Sequence, residues 1–290
     1  MIINGKKIAE SLRSEIKEKI EKLPGRKPSL AFILIGNHPA SLIYVINKKK
    51  ACREVGIETS EFIFPESISE TFLIEKIQQL NEDPLIDGIL VQLPLPKHIV
   101  TQKIIECIDP QKDVDGFHPL NVGKMLLGDP SALLPCTPQG IKVLLEKSHI
   151  SPEGKHVVIL GRSNIVGKPL AAILLQNAPG CNATITIAHS HSKHLMDITK
   201  SADILVAAVG KPHFVKKEFV TKGVVIIDVG INRITVNNKT TLVGDVDFNE
   251  VAPLASAITP VPGGVGPMTV ALLLQNVLSC YSQKKYNISL

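Results

Sequence analysis

The stretch KHVVILGRSNIVGKP (residues 155–169) reads as a buried strand over 155–160, a loop bounded by Gly161 and Gly167, and a helix opened by Lys168-Pro169. Proline suits that first turn, where a missing N–H leaves no bond unmade. Glycines at the two ends of the loop permit close backbone approach, and the N–H groups and dipole of a helix N-terminus favour an anion. The spacing is Gly-x5-Gly rather than the Gly-x-Gly-x-x-Gly of the dinucleotide fingerprint, and a purely structural glycine turn gives the same pattern. Apolar runs at 183–188, 204–210 and 224–230 then recur at βαβ intervals, with a helix near 193–200. Strands alternating with helices predict a parallel sheet with helices on both faces.

The first half has the same alternation. Ile8, Leu12, Ile16 and Ile20 recur at helical spacing until Pro24-Gly25 breaks the pattern. A buried strand follows at 29–36 (SLAFILIG), then a turn at Asn37-His38-Pro39-Ala40 with Ser41 as the expected cap of a helix running to Val55. Further elements are expected at 61–64 (strand), 70–80 (helix) and 88–92 (strand ending in Leu93-Pro94-Leu95-Pro96). Pro267-Met268-Thr269 leads into a last apolar helix. The expected division is residues 1–139, 140–268 and a C-terminal helix at 269–290, with the boundary near Pro138–Gly140.

Composition narrows the class. A chain of 290 residues has room for two domains, and 44% hydrophobic with 20% charged residues argues against disorder. The net charge of +5 suits small anions and is too weak to argue for nucleic acid. Five scattered cysteines without a Cys-x-x-Cys pair read as reduced thiols rather than disulfides or a zinc site. No secretory pattern opens the chain and no apolar run reaches the roughly 18 residues a membrane span requires, so the expectation is a soluble cytoplasmic protein.

Two clusters carry chemistry. Tyr44 and Lys48 stand four residues apart, on one face of the expected helix, where an aromatic ring and a proton carrier address one ligand; an ordinary amphipathic helix has the same pattern. In the second half, the strand ending at Ala188 runs into His189-Ser190-His191 instead of the acid that binds an NAD ribose, and Arg162 sits in the glycine loop. Arginine with hydroxyl and imidazole donors suits a 2′-phosphate, so NADP is favoured over NAD. The triplet His189, His191 and His194 stands as an alternative metal cluster, although no Cys or carboxylate partner accompanies it; no metal is expected.

Five segments together go further: PASLIYVINK (39–48), DGILVQLPLP (87–96), KDVDGFHP (112–119), GRSNIVGKP (161–169) and TPVPGGVGPMT (259–269). In this order, over essentially the whole chain, they closely resemble the bifunctional methylenetetrahydrofolate dehydrogenase/methenyltetrahydrofolate cyclohydrolase family. The resemblance implies an N-terminal catalytic α/β domain, a Rossmann-like NADP-binding domain with a parallel sheet, and a last helix returning to the first domain. It also implies a homodimer and a folate held in the cleft between the domains. The Lys48-Lys49-Lys50 run is expected to attract a polyglutamate tail on the tetrahydrofolate substrate. The implied reactions are hydride transfer from 5,10-methylenetetrahydrofolate to NADP⁺ and hydrolysis of the resulting methenyl cation to 10-formyltetrahydrofolate.

Carried over residue by residue, Lys48 matches the family's catalytic lysine, Gln92 the glutamine that hydrogen-bonds it, Asp115 the anchor of the pterin's amidine edge, and Tyr44 the ring packed on the folate. Folate contacts extend to Val91, Leu93, Pro262, Gly263, Gly264 and Val265; cofactor contacts fall on Gly161, Arg162, Ser163, Ser190 and Ile231. As bare chemistry the set is coherent. An aspartate accepting two N–H groups fixes a heterocycle, a neutral glutamine orients a lysine without holding it charged, and hydride transfer needs no protein acid or base. Two other classes remain: a regulatory protein with a relic site, against which the intact set Tyr44, Lys48, Gln92 and Asp115 stands, and a dehydrogenase of small hydroxy or amino acids, which lacks a His–acid pair and leaves 263–269 unexplained.

Overall fold

The computed structural model describes residues 1–36, 39–236 and 239–286. Their contacts divide into two units: Met1–Glu10 with Pro135–Thr269, and Ser11–Leu134 with the segment from Val270 onward.

In the second of these, α1 (Gly5–Glu21, begun in the other unit) precedes β1 (Ser29–Ile35), α2 (Pro39–Val55), β2 (Glu58–Phe64), α3 (Glu70–Glu82), β3 (Gly88–Val91), α4 (Thr101–Cys107) and α5 (Pro119–Leu127). The three strands form a parallel sheet in the order β2-β1-β3. All seven residues of β1 are buried, as expected of a central strand covered on both faces. On one face Ile33, Ile35 and Ile89 pack against Leu73 and Ile77 of α3 and Ile104 of α4. The alternate residues Leu30, Phe32 and Leu34 supply the other face. Residue Asp113 bridges Ile89 in parallel, so the sheet continues past β3 for one short rung. The closing segment of this unit is helical and tied in by polar bonds: Asn276 Nδ2 donates to Val114 O (2.8 Å) and Leu134 O (2.9 Å), and Tyr281 Oη donates to Arg26 O at 2.9 Å.

The other unit comprises α6 (Cys136–Lys147), β4 (His156–Leu160), α7 (Gly167–Leu174), β5 (Thr184–Ala188), α8 (Leu195–Lys200), β6 (Ile204–Ala207), β7 (Val225–Asp228), β8 (Asn232–Val236), β9 (Lys239–Val243), α9 (Phe248–Val251), β10 (Ala257–Ile258) and the start of α10 (Val265–Tyr286). Its five-stranded parallel sheet has the order β10-β7-β6-β4-β5. Counted from β4, this is a doubly wound order whose direction reverses between β4 and β6, and ligands of such sheets bind at the carboxyl ends of the strands beside that reversal. The N-terminal residues join this unit through backbone bonds: Ile3 N donates to Ile258 O (2.9 Å) and Ile258 N to Met1 O (3.0 Å).

Two sequence expectations meet a different placement, and one element is new. Helix α2 begins at Pro39, so Ser41 lies in its first turn and not at its cap; the Ser41 side chain and the turn Asn37-His38 lie outside the described residues. The change of unit comes at Leu134–Pro135, and Pro138–Gly140 falls inside α6, where a proline in the first turn is compatible with helix. The antiparallel pair β8–β9 was not anticipated.

Candidate active site

In the unit built on β1, the candidate groups Tyr44, Lys48 and Gln92 come from the middle of α2 and the residue after β3. Val45, Cys52 and Val55 bury one stripe of α2, which leaves Tyr44 (40% exposed) and Lys48 on a more open face. Lys48 Nζ donates to Gln92 Oε1 at 3.2 Å. Gln92 Nε2 donates to the Leu93 carbonyl at 2.8 Å, which fixes the amide with its oxygen toward the lysine, and Gln92 N donates to Ile33 O at 2.9 Å, extending the sheet. One turn of helix and one strand end thus aim an ammonium to which, among the described residues, no carboxylate is bonded.

Asp115 is presented by two residues that sequence reasoning passed over. Lys112 is buried, and its Nζ donates to Leu80 O (2.8 Å), Asn81 O (2.6 Å) and Asp83 O (2.9 Å). All three ammonium protons are therefore spent on the carbonyls that end α3, at the negative end of that helix. Burial still pushes the Lys112 ammonium below its ordinary pKa. Asp113, also buried, accepts from Gly116 N (3.1 Å), His118 N (2.8 Å) and Asn121 Nδ2 (3.0 Å), closing the turn in which Gly116 has φ +71°. The alternation Lys-Asp-Val-Asp puts Asp113 and Asp115 on the same side of a strand-like run, but it says nothing of the backbone groups that Lys112 and Asp113 hold.

Among the described residues the Asp115 carboxyl forms no hydrogen bond of its own. Desolvation raises its pKa to about 6, Lys48 nearby pulls it down, and Asp113 pushes it up. Val91, Leu93 and Phe117 wall a small cavity of about 10 Å³ against it. A carboxylate so placed has both oxygens available to N–H donors of a ligand.

Pro262, Gly263, Gly264 and Val265 belong to the other unit. There Gly264 is required by packing: a Cβ would lie 2.6 Å from Pro260 O and 2.7 Å from Thr259 Cβ, while a Cβ on Gly5 would lie 1.9 Å from Gly264 O. Lys6 N donates to Gly263 O at 3.0 Å, and Gly263 has φ +108°. Gly264→Ala is expected to lower the unfolding free energy by about 1–3 kcal/mol, the usual cost of overpacking. Urea unfolding checks this; an unchanged midpoint would mean that the glycine serves a ligand alone.

The strand–glycine loop–helix of β4 and α7 forms as the sequence indicates. Gly161 has φ +122°, and a Cβ there would lie 2.2 Å from Ala208 O, so glycine is obligatory. The first amides of α7 are less free than the motif suggested. Ser163 Oγ accepts from Val166 N (3.1 Å) and Gly167 N (3.4 Å), and Ser163 O accepts from Lys168 N (3.1 Å). The serine hydroxyl keeps its own proton for a ligand. Gly161, Arg162, Ser163 and Ser190 meet, with His189 and Lys211, in one cavity of about 650 Å³ at the carboxyl ends of β4, β5 and β6. Burial, then the charge of Arg162, holds the His189 imidazolium below its ordinary pKa. Ile231 does not line this cavity; it is 44% exposed. His191 and His194 are exposed as well, and among the described residues no three His, Cys, Asp or Glu side chains converge as metal ligands would.

Against known proteins, residues 3–115 match the family described as tetrahydrofolate dehydrogenase/cyclohydrolase, catalytic domain, and residues 135–285 match its NAD(P)-binding domain. A curated relative from Protochlamydia amoebophila (strain UWE25), "Bifunctional protein FolD", is 55% identical over 293 residues and covers 100% of both chains. The crystal structure of the bifunctional enzyme FolD, methylenetetrahydrofolate dehydrogenase/cyclohydrolase, from Campylobacter jejuni has a TM-score of 0.93 at 45% identity, covering 98% of this chain and 99% of its own. The Trypanosoma brucei N5,N10-methylenetetrahydrofolate dehydrogenase-cyclohydrolase, complexed with NADP cofactor and inhibitor, has a TM-score of 0.92 at 35% identity, covering 99% of this chain and 98% of its own.

Proposed function

The chain belongs to the tetrahydrofolate dehydrogenase/cyclohydrolase family, and from that premise we propose how its own residues divide the two reactions. The protein oxidises 5,10-methylenetetrahydrofolate with NADP⁺ and hydrolyses the product to 10-formyltetrahydrofolate. The observation that carries the assignment is the Lys48–Gln92 bond beside an otherwise unbonded Asp115 carboxyl.

Asp115 accepts two N–H groups from the pterin's amidine edge and so fixes the plane of the ring. Tyr44, one turn before Lys48, packs on the folate's aromatic portion; Val91 and Leu93 supply the apolar floor. Pro262, Gly263, Gly264 and Val265 are assigned further folate contacts on the family pattern. In the hydrolysis, water adds to the cationic methenyl carbon and its proton passes to Lys48 Nζ in the amine form. The C–N5 bond then breaks as Lys48 Nζ returns that proton to N5, and the remaining hydroxyl proton leaves to solvent as the formyl C=O forms, so that one proton is released overall. Gln92 Oε1 holds Nζ in place through both transfers without fixing its charge.

NADP⁺, when bound, supplies the hydride acceptor. The donor set fits it: Arg162, Ser163, Ser190 and Lys211 offer a cation, two hydroxyls and a second cation to phosphates, in a cavity lined by Leu160 and Ala208 along its apolar wall. Ile231 is retained as a cofactor contact on the family pattern alone. Arg162→Ala is expected to raise KM for NADP⁺ at least about tenfold, the worth of one charge-assisted contact, and to change KM for NAD⁺ by less than about threefold. Steady-state kinetics with each cofactor decide it, and equal changes would remove the 2′-phosphate from Arg162.

A homodimer is the expected assembly, to be checked by sedimentation for a mass twice that of the chain. No helix among the described residues is long and apolar enough to cross a membrane; a cytoplasmic location is part of the proposal. A polyglutamate tail has less to meet than the Lys48-Lys49-Lys50 run suggests, because Lys48 is bonded to Gln92 and Lys49 pairs with Glu61. Exposed Lys50 is the cation of that run left to attract the tail, through a contact that added salt weakens.

A further inference from the structure

Two carboxylates lie buried at the carboxyl ends of β6 and β7: Asp228 is 3% exposed and Asp245 0%. Acids this deeply buried are ordinarily paired with a cation. Here, among the described residues, every bond they make is to an N–H group. Asp245 Oδ2 accepts from Val209 N (2.6 Å) and Gly210 N (2.9 Å), and its Oδ1 from Lys211 N (3.0 Å) and Asn232 Nδ2 (2.8 Å). Asp228 Oδ1 accepts from Gly230 N (2.9 Å) and Asp245 N (2.9 Å), and Oδ2 from Val246 N (2.9 Å).

Room is made for both. A Cβ on Gly230 would fall 2.3 Å from Asp245 Oδ1, and one on Gly244 would fall 1.8 Å from Asp228 Oδ2. Burying a carboxylate in a low-dielectric interior is expensive: desolvation first, and the neighbouring Asp245 charge as a lesser cause, push the Asp228 pKa up to about 7 against the pull of the three amides it accepts from. A packed apolar pair would hold a core at less cost. What the carboxylates do that apolar groups cannot is gather three successive amides, 209 to 211, onto one side chain. Val209 and Lys211 line the cofactor cavity, and Asn232, the fourth donor, directly follows Ile231.

We infer that Asp245, seated on Asp228, is a positioning residue for NADP: it holds the loops after β6 and β7 in the form the cofactor meets. The inference rests on the dehydrogenase reading above. Neither side chain is assigned to folate, and hydrolysis of the methenyl cation needs no dinucleotide.

The test is Asp245→Asn, which keeps shape but sets an NH₂ against N–H donors. In the cofactor-free protein, amide hydrogen exchange across residues 208–214 is expected to quicken at least about tenfold. The Kd for NADPH is expected to rise at least about tenfold, with methenyl hydrolysis within about twofold of the parent. Unchanged exchange and unchanged NADPH affinity would overturn the inference, as would hydrolysis and dehydrogenation falling in parallel. Should Asp245→Asn not fold, Asn232→Ala removes one donor and leaves both acids; a rise of about threefold in the NADPH Kd with hydrolysis intact is expected, and no rise would overturn the role. Parent protein that fails to oxidise methylenetetrahydrofolate with NADP⁺ would instead dispose of the functional reading, independently of these variants.

Discussion

Lys48→Met is expected to lower methenyl hydrolysis by about 10² to 10⁴-fold, the span of a positioned proton carrier, while dehydrogenase turnover stays measurable. The asymmetry follows from the chemistry. Hydride leaves the methylene carbon for the cofactor without a protein base, whereas addition of water must deliver a proton somewhere, and Nζ is the group that Gln92 Oε1 holds ready at 3.2 Å. Methionine keeps the length and apolar stem and removes only the basic nitrogen. Parallel rate measurements on one preparation check it; equal loss of both activities would refute the separate roles.

Asp115→Ala is expected to weaken folate binding by about 10²-fold or more, because two hydrogen bonds to a charged acceptor are each worth roughly 1.5–3 kcal/mol. Cofactor affinity should stay within about twofold, since Asp115 lies outside the set assigned to the dinucleotide. The carboxyl, with its pKa raised from 3.8 to about 6, also sets a pH signature. Folate wants the ionised form, so kcat/KM for folate should fall as pH drops below about 6, and Asp115→Asn should remove that bend. Stability runs the opposite way. A raised pKa means the folded protein tolerates the neutral carboxyl better, so this contribution is present below pH 3.8 and is lost as pH rises through about 6. Unchanged folate affinity in the alanine variant, or a bend that survives in the asparagine variant, would contradict the anchor role.

How much of this was legible in the chain depended on length and on locality. β1 could be read because SLAFILI is an apolar run between turn signals, and the glycine loop because Gly161 stands between a strand and a proline-opened helix. Helices α4 and α9 span seven and four residues, too few to show a helical period. The β8–β9 pair is polar and lacks an Asn-Gly or Asp-Gly turn signal, so nothing in its composition marked a hairpin.

In the proposed site, Tyr44 and Lys48 could be picked out by their helical spacing, and Gln92 by the family resemblance of the DGILVQLPLP segment. Lys112, Asp113, Asp228 and Asp245 could not. Apart from Asn121 Nδ2 on Asp113 and Asn232 Nδ2 on Asp245, the partners described above are backbone groups, brought to them by folding, and a backbone N–H or carbonyl leaves no mark in the sequence. The same reason hid the double duty of Ser163, whose hydroxyl caps α7 from within the loop assigned to the cofactor.

The account is tested most directly by incubating the purified protein with 5,10-methylenetetrahydrofolate and offering NADP⁺ and NAD⁺ in separate reactions. Absorbance follows the reduced cofactor, and acid quenching separates methenyl- from 10-formyltetrahydrofolate. Turnover with NADP⁺ in preference to NAD⁺, with the 10-formyl product accumulating, is the expected result. Folded protein that turns over with neither cofactor would contradict the account and leave a relic site in place of an enzyme.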